Sequence, residues 1–271
     1  MMFVEFTGMV GAGKSTLSPI LKKILQENNF EALFLDEALI YHLERSLLGR
    51  LVYGIAPVAW RRRILYKVYS LGIDTFCRFQ FAYENPRLVW QICKSQVHRE
   101  IPLRHRQFIL SQLFKVVGGY QFLRRRLGAN EAVILEEGLI HRAISLYVWE
   151  PKQIERDLVM TYLDLLPALD LVVLVRAPSE VCLERAEARG LPSRLRGKDE
   201  LTVDKFMDHS AQIISLASEF LASADRQVVE VDNGGELEDG IANLYKGLES
   251  YHFLATKPET GSPDQPLWEV A

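Results

Sequence analysis
The chain has 271 residues, 48% of them hydrophobic, and a formal net charge of −3. That is enough apolar material for one sizeable core, or a core with a helical annex, and the composition is that of an ordinary soluble globular protein. No apolar stretch approaches the roughly 20 residues that cross a bilayer, and the short first apolar run leads straight into a glycine-rich loop, so neither a membrane span nor an N-terminal signal segment is expected.

The three cysteines, Cys77, Cys93 and Cys182, are odd in number and lack C-x-x-C spacing. They suggest no disulfide framework and no zinc site, and they point to a reducing, cytoplasmic compartment. The net charge conceals an asymmetry. Residues 41–130 carry 16 Lys/Arg against 4 Asp/Glu, a block of +12, and the remainder of the chain carries −15.

In chain order, the run Met2 to Thr7 reads as a strand, followed by Gly8-Met9-Val10-Gly11-Ala12-Gly13-Lys14-Ser15-Thr16. Gly8 to Ser15 complete the Walker A pattern G-x-x-x-x-G-K-[ST], and Leu17, Ile20, Leu21, Ile24 and Leu25 then recur at helical spacing. Strand, loop and helix in that order are the context the motif requires to bind a nucleoside triphosphate. The glycines let backbone NH groups turn inward around the phosphates, and the helix N-terminus adds its unsatisfied NH groups and dipole. Lys14 is expected to reach the β- and γ-phosphates, Ser15 to place a hydroxyl on Mg2+, and Thr16 to stand near the α-phosphate.

Ala32 to Leu35 reads as a second strand, ending in Asp36-Glu37. Glu37 or Asp36 is a base candidate for an acceptor hydroxyl, with a plain polar turn as the alternative. From about residue 39 to 130 the pattern is helical and rich in leucines and aromatics, an insertion divided at Pro57, Pro86 and Pro102, with a further break expected at Gly118-Gly119. Within it, Leu110, Leu113, Phe114 and Val117 form a stripe expected to be helix core.

The third strand, Ala132 to Leu135, ends in Glu136-Glu137-Gly138, where a Walker B acid belongs. Either glutamate is able to hold magnesium, and Glu136 is preferred because it directly follows the apolar run. His141-Arg142 follow; Arg142 is assigned to the acceptor if a helix runs from Leu139 to Tyr147, and His141 reads as a plain helix residue.

The fourth strand, Leu171 to Val175, leads into a helix and then a cation-loaded loop, with Arg185, Arg189, Arg194 and Arg196 between about 185 and 198. Such a segment reads as a lid that closes over the triphosphate, and Arg189, Arg194 and Arg196 are its candidate catalytic cations. The fifth strand, Gln227 to Val231, is followed by Asp232-Asn233-Gly234-Gly235, a turn that has a weak claim to lie against the purine ring. Leu237 to Tyr251 closes the fold as a helix, residues 1–256 read as one domain, and 257–271, with three prolines, read as a disordered tail in which Leu267-Trp268 has the means to dock.

Taken together, these segments resemble the P-loop small-molecule kinases, in particular the thymidylate kinase and deoxynucleoside kinase branch. The resemblance is carried by Phe3 through Thr16, by Glu136-Glu137-Gly138 at the place of that branch's acidic-Arg motif, by Val173 to Gly190 before the lid, and by Val228 to Asp232. It implies an α/β fold with a five-stranded parallel sheet of order 2-3-1-4-5 flanked by helices, and magnesium-assisted transfer from ATP. It also implies an acceptor held between the sheet and the helices after strand 2, and it matches Glu37 to the carboxylate that deoxynucleoside kinases place after their second strand. Two departures bear on substrate: Glu137 stands where the branch has an arginine, and the insertion is longer and more basic.

The leading reading is a kinase acting on a nucleotide, a nucleoside or another phosphorylated metabolite, and its aromatic-rich helices are able to form a homodimer interface. A second takes the +12 block as a docking surface for nucleic acid or anionic membrane, with Trp60-Arg61-Arg62-Arg63 and Arg124-Arg125-Arg126 as its basis and the nucleotide site as a switch. A sulfotransferase-like or degenerate enzyme is opposed by the intact Gly-Lys-Ser-Thr and by Glu136.

Overall fold
The computed structural model describes residues 1–97, 102–148, 153–192, 195–224 and 226–251. Its centre is one parallel sheet in the order β2-β3-β1-β4-β5, formed by β1 (Met2–Thr7), β2 (Glu31–Phe34), β3 (Glu131–Leu135), β4 (Leu171–Arg176) and β5 (Val228–Asp232). Every residue of β1 is buried, as a central strand covered on both faces requires. Edge strand β5 alternates buried Val229 and Val231 with exposed Glu230 and Asp232. This is the strand order that the resemblance implies. The register Glu5↔Leu135 and Thr7↔Leu174 brings the carboxyl ends of β1, β3 and β4 to one edge, where an open parallel sheet binds its ligand.

Strand boundaries follow the apolar runs to within a residue or so. The one change of type is Leu35, expected in a strand, which instead opens α2 (Leu35–Arg45) directly after Phe34. The cause is a cap: Glu37 turns back to accept the Phe34 amide at 2.9 Å, the reciprocal bond of a capping box, which starts a helix without a loop.

The basic stretch is helical, as expected. After α2 come α3 (Leu47–Ile55), a short 3-10 turn, α4 (Arg61–Val68), a π-helical turn (Tyr69–Ile73), α5 (Asp74–Glu84), α6 (Pro86–Val97) and α7 (Leu103–Leu123). Pro57, Pro86 and Pro102 all stand at helix starts. Gly118-Gly119 do not break anything: α7 runs through them. A Cβ on Gly118 would overlap the Asp74 carboxylate, and one on Gly119 would lie 2.8 Å from Leu35 Cδ1. The double glycine is a place of close approach, where α7 passes between α5 and the start of α2. Packing there offsets the roughly 1 kcal/mol per glycine that an isolated helix loses. Of the predicted stripe, Leu113 and Val117 are buried and Leu110 packs against the core.

The two arginine clusters differ. Arg124 and Arg125 pair with Glu84 at 3.0 and 2.7 Å, and Arg126 lies on the Phe122 ring. That run is a satisfied structural cluster. The cations near Trp60 are largely solvent-facing.

The remaining helices are α8 (Arg142–Tyr147), α9 (Arg156–Asp164), α10 (Ser179–Ala188), α11 (Glu200–Ser223) and α12 (Leu237–Glu249). α8 starts three residues later than expected, because Gly138 to His141 form a turn over a buried carboxylate. Residues 257–271, with Leu267-Trp268, lie outside the described residues, as does Arg194.

Candidate active site
The phosphate loop is held from three sides. Gly11 and Gly13 have φ of +84° and +99°, and a Cβ on Gly11 would overlap the Cys182 carbonyl of α10. A Cβ on Gly13 would strike the Asn233 side-chain amide. Only glycine fits there, on grounds both of φ and of space. Gly8 likewise abuts the Val175 carbonyl, and Ala12 is buried with its amide donating to Met9 O at 3.2 Å.

Asn233 is the keystone that spacing alone did not reveal. It is buried, and its Nδ2 donates to Ala12 O at 2.7 Å. Its own carbonyl accepts from Arg185 Nη1 at 2.7 Å, and the other Arg185 nitrogen donates to Gly235 O at 2.8 Å. The turn after β5 therefore clamps the phosphate loop from below. Arg185 is a structural clamp and not a lid cation.

Lys14, the first residue of α1 (Lys14–Glu27), is buried, and its Nζ donates to Gly8 O and Met9 O at 3.0 and 2.8 Å. Burial pushes its ammonium down to about 8, against an upward pull from the Glu137 carboxylate. Ser15 and Thr16 are exposed on the first turn; Thr16 NH donates to Gly13 O at 3.0 Å.

A cavity of about 670 Å³ opens over this loop. Gly11, Gly13, Lys14 and Ser15 form its floor, with Glu136 and Glu137 from the end of β3 beside them. Glu136 Oε1 accepts from Ser18 Oγ on α1 at 2.6 Å. Glu136 thus lines the same cavity as Ser15, and a carboxylate and a hydroxyl are hard oxygen donors of the kind that would suit a magnesium ion.

The far wall comes from α7 and α8: Arg104, His105, Phe108, Ile109 and Gln112 from the one, Arg142 and Ser145 from the other. Arg142 is nearly buried and lies 3.3 Å from the Glu137 carboxylate, with its Nε lacking any partner. His141, expected to be a plain helix residue, is also buried and lies on the cavity, 3.7 Å from Glu137.

The lid arginines separate. Arg189 lies on the cavity and reaches Ser15 Oγ at 3.4 Å across a gap of 174 residues. Arg196 is turned away; its Nε donates to Leu191 O at 2.8 Å and it does not line the cavity.

Glu37 is a correction. It does not line the cavity: Lys22 Nζ binds it at 2.6 Å, and it caps α2. Although partial burial pulls its carboxyl upward, Lys22 and the Phe34 amide hold it below the ordinary range, the opposite of what a general base needs. Asp36 is likewise occupied, by Lys115 at 2.9 Å. The carboxylates that line the cavity are Glu136, held by Ser18, and Glu137, which lies beside His141 and Arg142 and which the strand-end pattern offers only as second choice for the metal.

Glu5 was passed over altogether. It is fully buried in β1, and its Oε1 accepts the His141 amide at 2.8 Å while Oε2 has no partner. Burial pushes its carboxyl up to about 8, against the amides of residues 139–141 and the Arg142 charge. A Cβ on Gly138 would overlap that carboxyl. Glu5 thus shapes the turn that presents Glu137 and Arg142. A lone glutamate inside an otherwise apolar strand was the available signal.

No protein-family model matches the chain, and no curated protein matches it. Among solved structures it is similar to deoxyadenosine kinase from M. mycoides with bound dATP, at 15% identity and a TM-score of 0.47, covering 92% of this chain and all of that one. The same enzyme with bound dCTP gives 16% and 0.43, and with the products dCMP and dCDP 16% and 0.42. Likenesses of that strength say nothing of this chain's activity.

Proposed function
We propose that this chain is a kinase that transfers the γ-phosphoryl group of ATP to a small acceptor, a nucleotide, a nucleoside or another phosphorylated metabolite. The observation that carries the reading is the two-sided cavity. A triphosphate grip forms one wall, and a second wall of polar and aromatic side chains from α7 and α8 faces it. A nucleotide switch has no need of that second wall.

Lys14 exchanges its two backbone carbonyls for phosphate oxygens, and Arg189 adds charge from the α10 side, so that catalysis is positioning plus neutralisation. Ser15 and Glu136 would hold magnesium, which would supply neutralisation of phosphate charge. Arg142, with its unpartnered Nε, and Arg104 favour an acceptor that carries negative charge. Phe108 and Gln112, one helical turn apart on α7, suit a ring that both stacks and hydrogen bonds. For a hydroxyl acceptor, Glu137 is the carboxylate within the cavity able to receive the proton; for a phosphate acceptor no base is needed.

The test is ADP production by purified protein with ATP and magnesium across a panel of nucleosides, nucleotides and phosphorylated metabolites. The expected result is production that rises with one acceptor class and vanishes in Lys14→Ala. Turnover indifferent to every acceptor would refute the reading.

A further inference from the structure
α3 exposes one whole face. Leu47, Leu51 and Ile55, four residues apart, are 78%, 63% and 85% exposed, and Val58 and Trp60 in the following turn continue the stripe at 76% and 60%. From Ser46 to Ile73 the sequence holds Arg50, Arg61, Arg62, Arg63 and Lys67 and not one Asp or Glu. Arg61 is spent on α3 itself, closing its C-terminus through Ala56 O and Tyr53 O. Arg62 sits 3.5 Å from Glu44 yet stays 80% exposed, and Arg50, Arg63 and Lys67 are exposed. Branched aliphatic side chains, a tryptophan and exposed cations thus share one short surface.

We infer that this α3–α4 surface docks on an anionic lipid bilayer, with Leu47, Leu51, Ile55 and Val58 entering the acyl boundary, Trp60 at headgroup depth and Arg50, Arg62, Arg63 and Lys67 on lipid phosphates. The pairing of an apolar helix face with solvent-exposed cations is what an interfacial helix requires, and neither half suffices alone. Charge complementarity selects this partner over others. In a two-fold contact between copies of this chain, the patch would face itself and set Arg50, Arg63 and Lys67 against their own kind, with no acid between Ser46 and Ile73 and with Glu44 already beside Arg62. A polynucleotide would satisfy the cations but leave three aliphatic side chains of α3 in water; its platforms are aromatic rings.

The surface does not rest on the kinase reading. None of these residues lines the cavity, so the two ideas fail separately.

The experiment is flotation of the full chain with vesicles of phosphatidylcholine alone and of phosphatidylcholine with phosphatidylserine. The expected result is flotation with the anionic vesicles only, reversed by added salt. Leu51→Asp with Ile55→Asp should weaken it by about tenfold or more, because charge at the apolar face is expelled from the acyl region. Both positions are exposed in the free protein, so unchanged circular dichroism and thermal midpoint are expected to accompany the loss. Brominated acyl chains should quench fluorescence in the parent protein, and that quenching should fall away in Trp60→Phe. Three outcomes would overturn the inference: no flotation with either vesicle, equal flotation of the double variant, or a dimer by light scattering that Ile55→Asp dissociates, which would assign the surface to a second copy. Binding to polynucleotide that survives the double aspartate variant, without flotation, would also overturn it.

Discussion

The sheet with its phosphate loop and the helical block from α2 to α7 are built on opposite principles. In the sheet, the side chains of central strand β1 are buried on both faces, and the loop edge is made of backbone: three glycines, a helix N-terminus, and a turn clamped by Asn233. In the block, side chains rather than backbone reach the cavity and the solvent. Among the described residues, every exposed large hydrophobic other than Met1, Leu201 and Leu237 lies between Leu47 and Phe108. On the kinase reading proposed above, backbone geometry would grip the donor, and recognition of the acceptor would fall to side chains of the inserted helices.

The sharpest way to separate the two regions is to disable each wall of the cavity in turn. Lys14→Ala removes the donor-side cation, and turnover should fall by about 100- to 1000-fold, the loss typical of one preorganised charge-stabilising group. Gly13→Ala tests whether the backbone itself is the grip. With φ at +99° and Asn233 in the way, it should cost about 1–3 kcal/mol of stability, read by chemical denaturation, together with weakened ATP binding by calorimetry. Arg142→Ala acts on the opposite wall. It should raise the acceptor KM by roughly tenfold or more, the worth of a charged hydrogen bond, while the ATP dissociation constant stays in place. If Arg142→Ala weakened ATP and spared the acceptor, the division into donor and acceptor walls would be wrong.

Two buried groups give the smaller, pH-dependent tests. Lys14 is pushed down to about 8 in the free protein, and a bound triphosphate restores its charge. ATP affinity should therefore be flat below about pH 8 and decline above it, with proton uptake on binding detectable by calorimetry in buffers of different ionisation heat. For stability the signs of the two groups differ. Glu5 is raised from 4.5 to about 8, so between those pH values the unfolded chain has released a proton that the native one keeps, and stability falls as pH rises. Glu5→Gln should flatten that slope and stabilise most at pH 8 and above, as read from thermal midpoints. Lys14, lowered from 10.5 to about 8, makes stability rise with pH in its own window, so a slope confined to pH 4.5 to 8 belongs to Glu5. The smallest effect is Ile55→Asp on turnover. A substitution at an exposed site off the cavity should leave stability within about 0.5 kcal/mol and kcat unchanged.

What spacing revealed follows the same division. The five strands, the loop and the place of Lys14, Ser15 and Glu136 at its edge are legible because a buried parallel strand must be a continuous apolar run and a glycine-rich loop of this pattern must follow one. Glu37 is not separable in sequence from a site carboxylate, because strand-end carboxylates look alike. Only the fold shows that this one turns back to cap α2 and meets Lys22. Gly118-Gly119 looked like a break because a glycine pair has poor helix propensity; tertiary packing against Asp74 and Leu35 overrode it. Asn233 and Arg185 act across 221 and 48 residues respectively, and no local pattern reports contacts at that range. The cavity face of α7 was hidden for a related reason: Phe108 and Gln112 share a helix with the core stripe, and which side meets the cavity is decided by how α7 packs between α2 and α5.

The most direct measurement of the central claim, that one cavity holds donor and acceptor together, follows the label from γ-labelled ATP with magnesium across the acceptor panel. The account predicts label on one class of acceptor, absent in Lys14→Ala and reduced in Arg142→Ala at limiting acceptor. Label found only in inorganic phosphate, at a rate no acceptor changes, would contradict it.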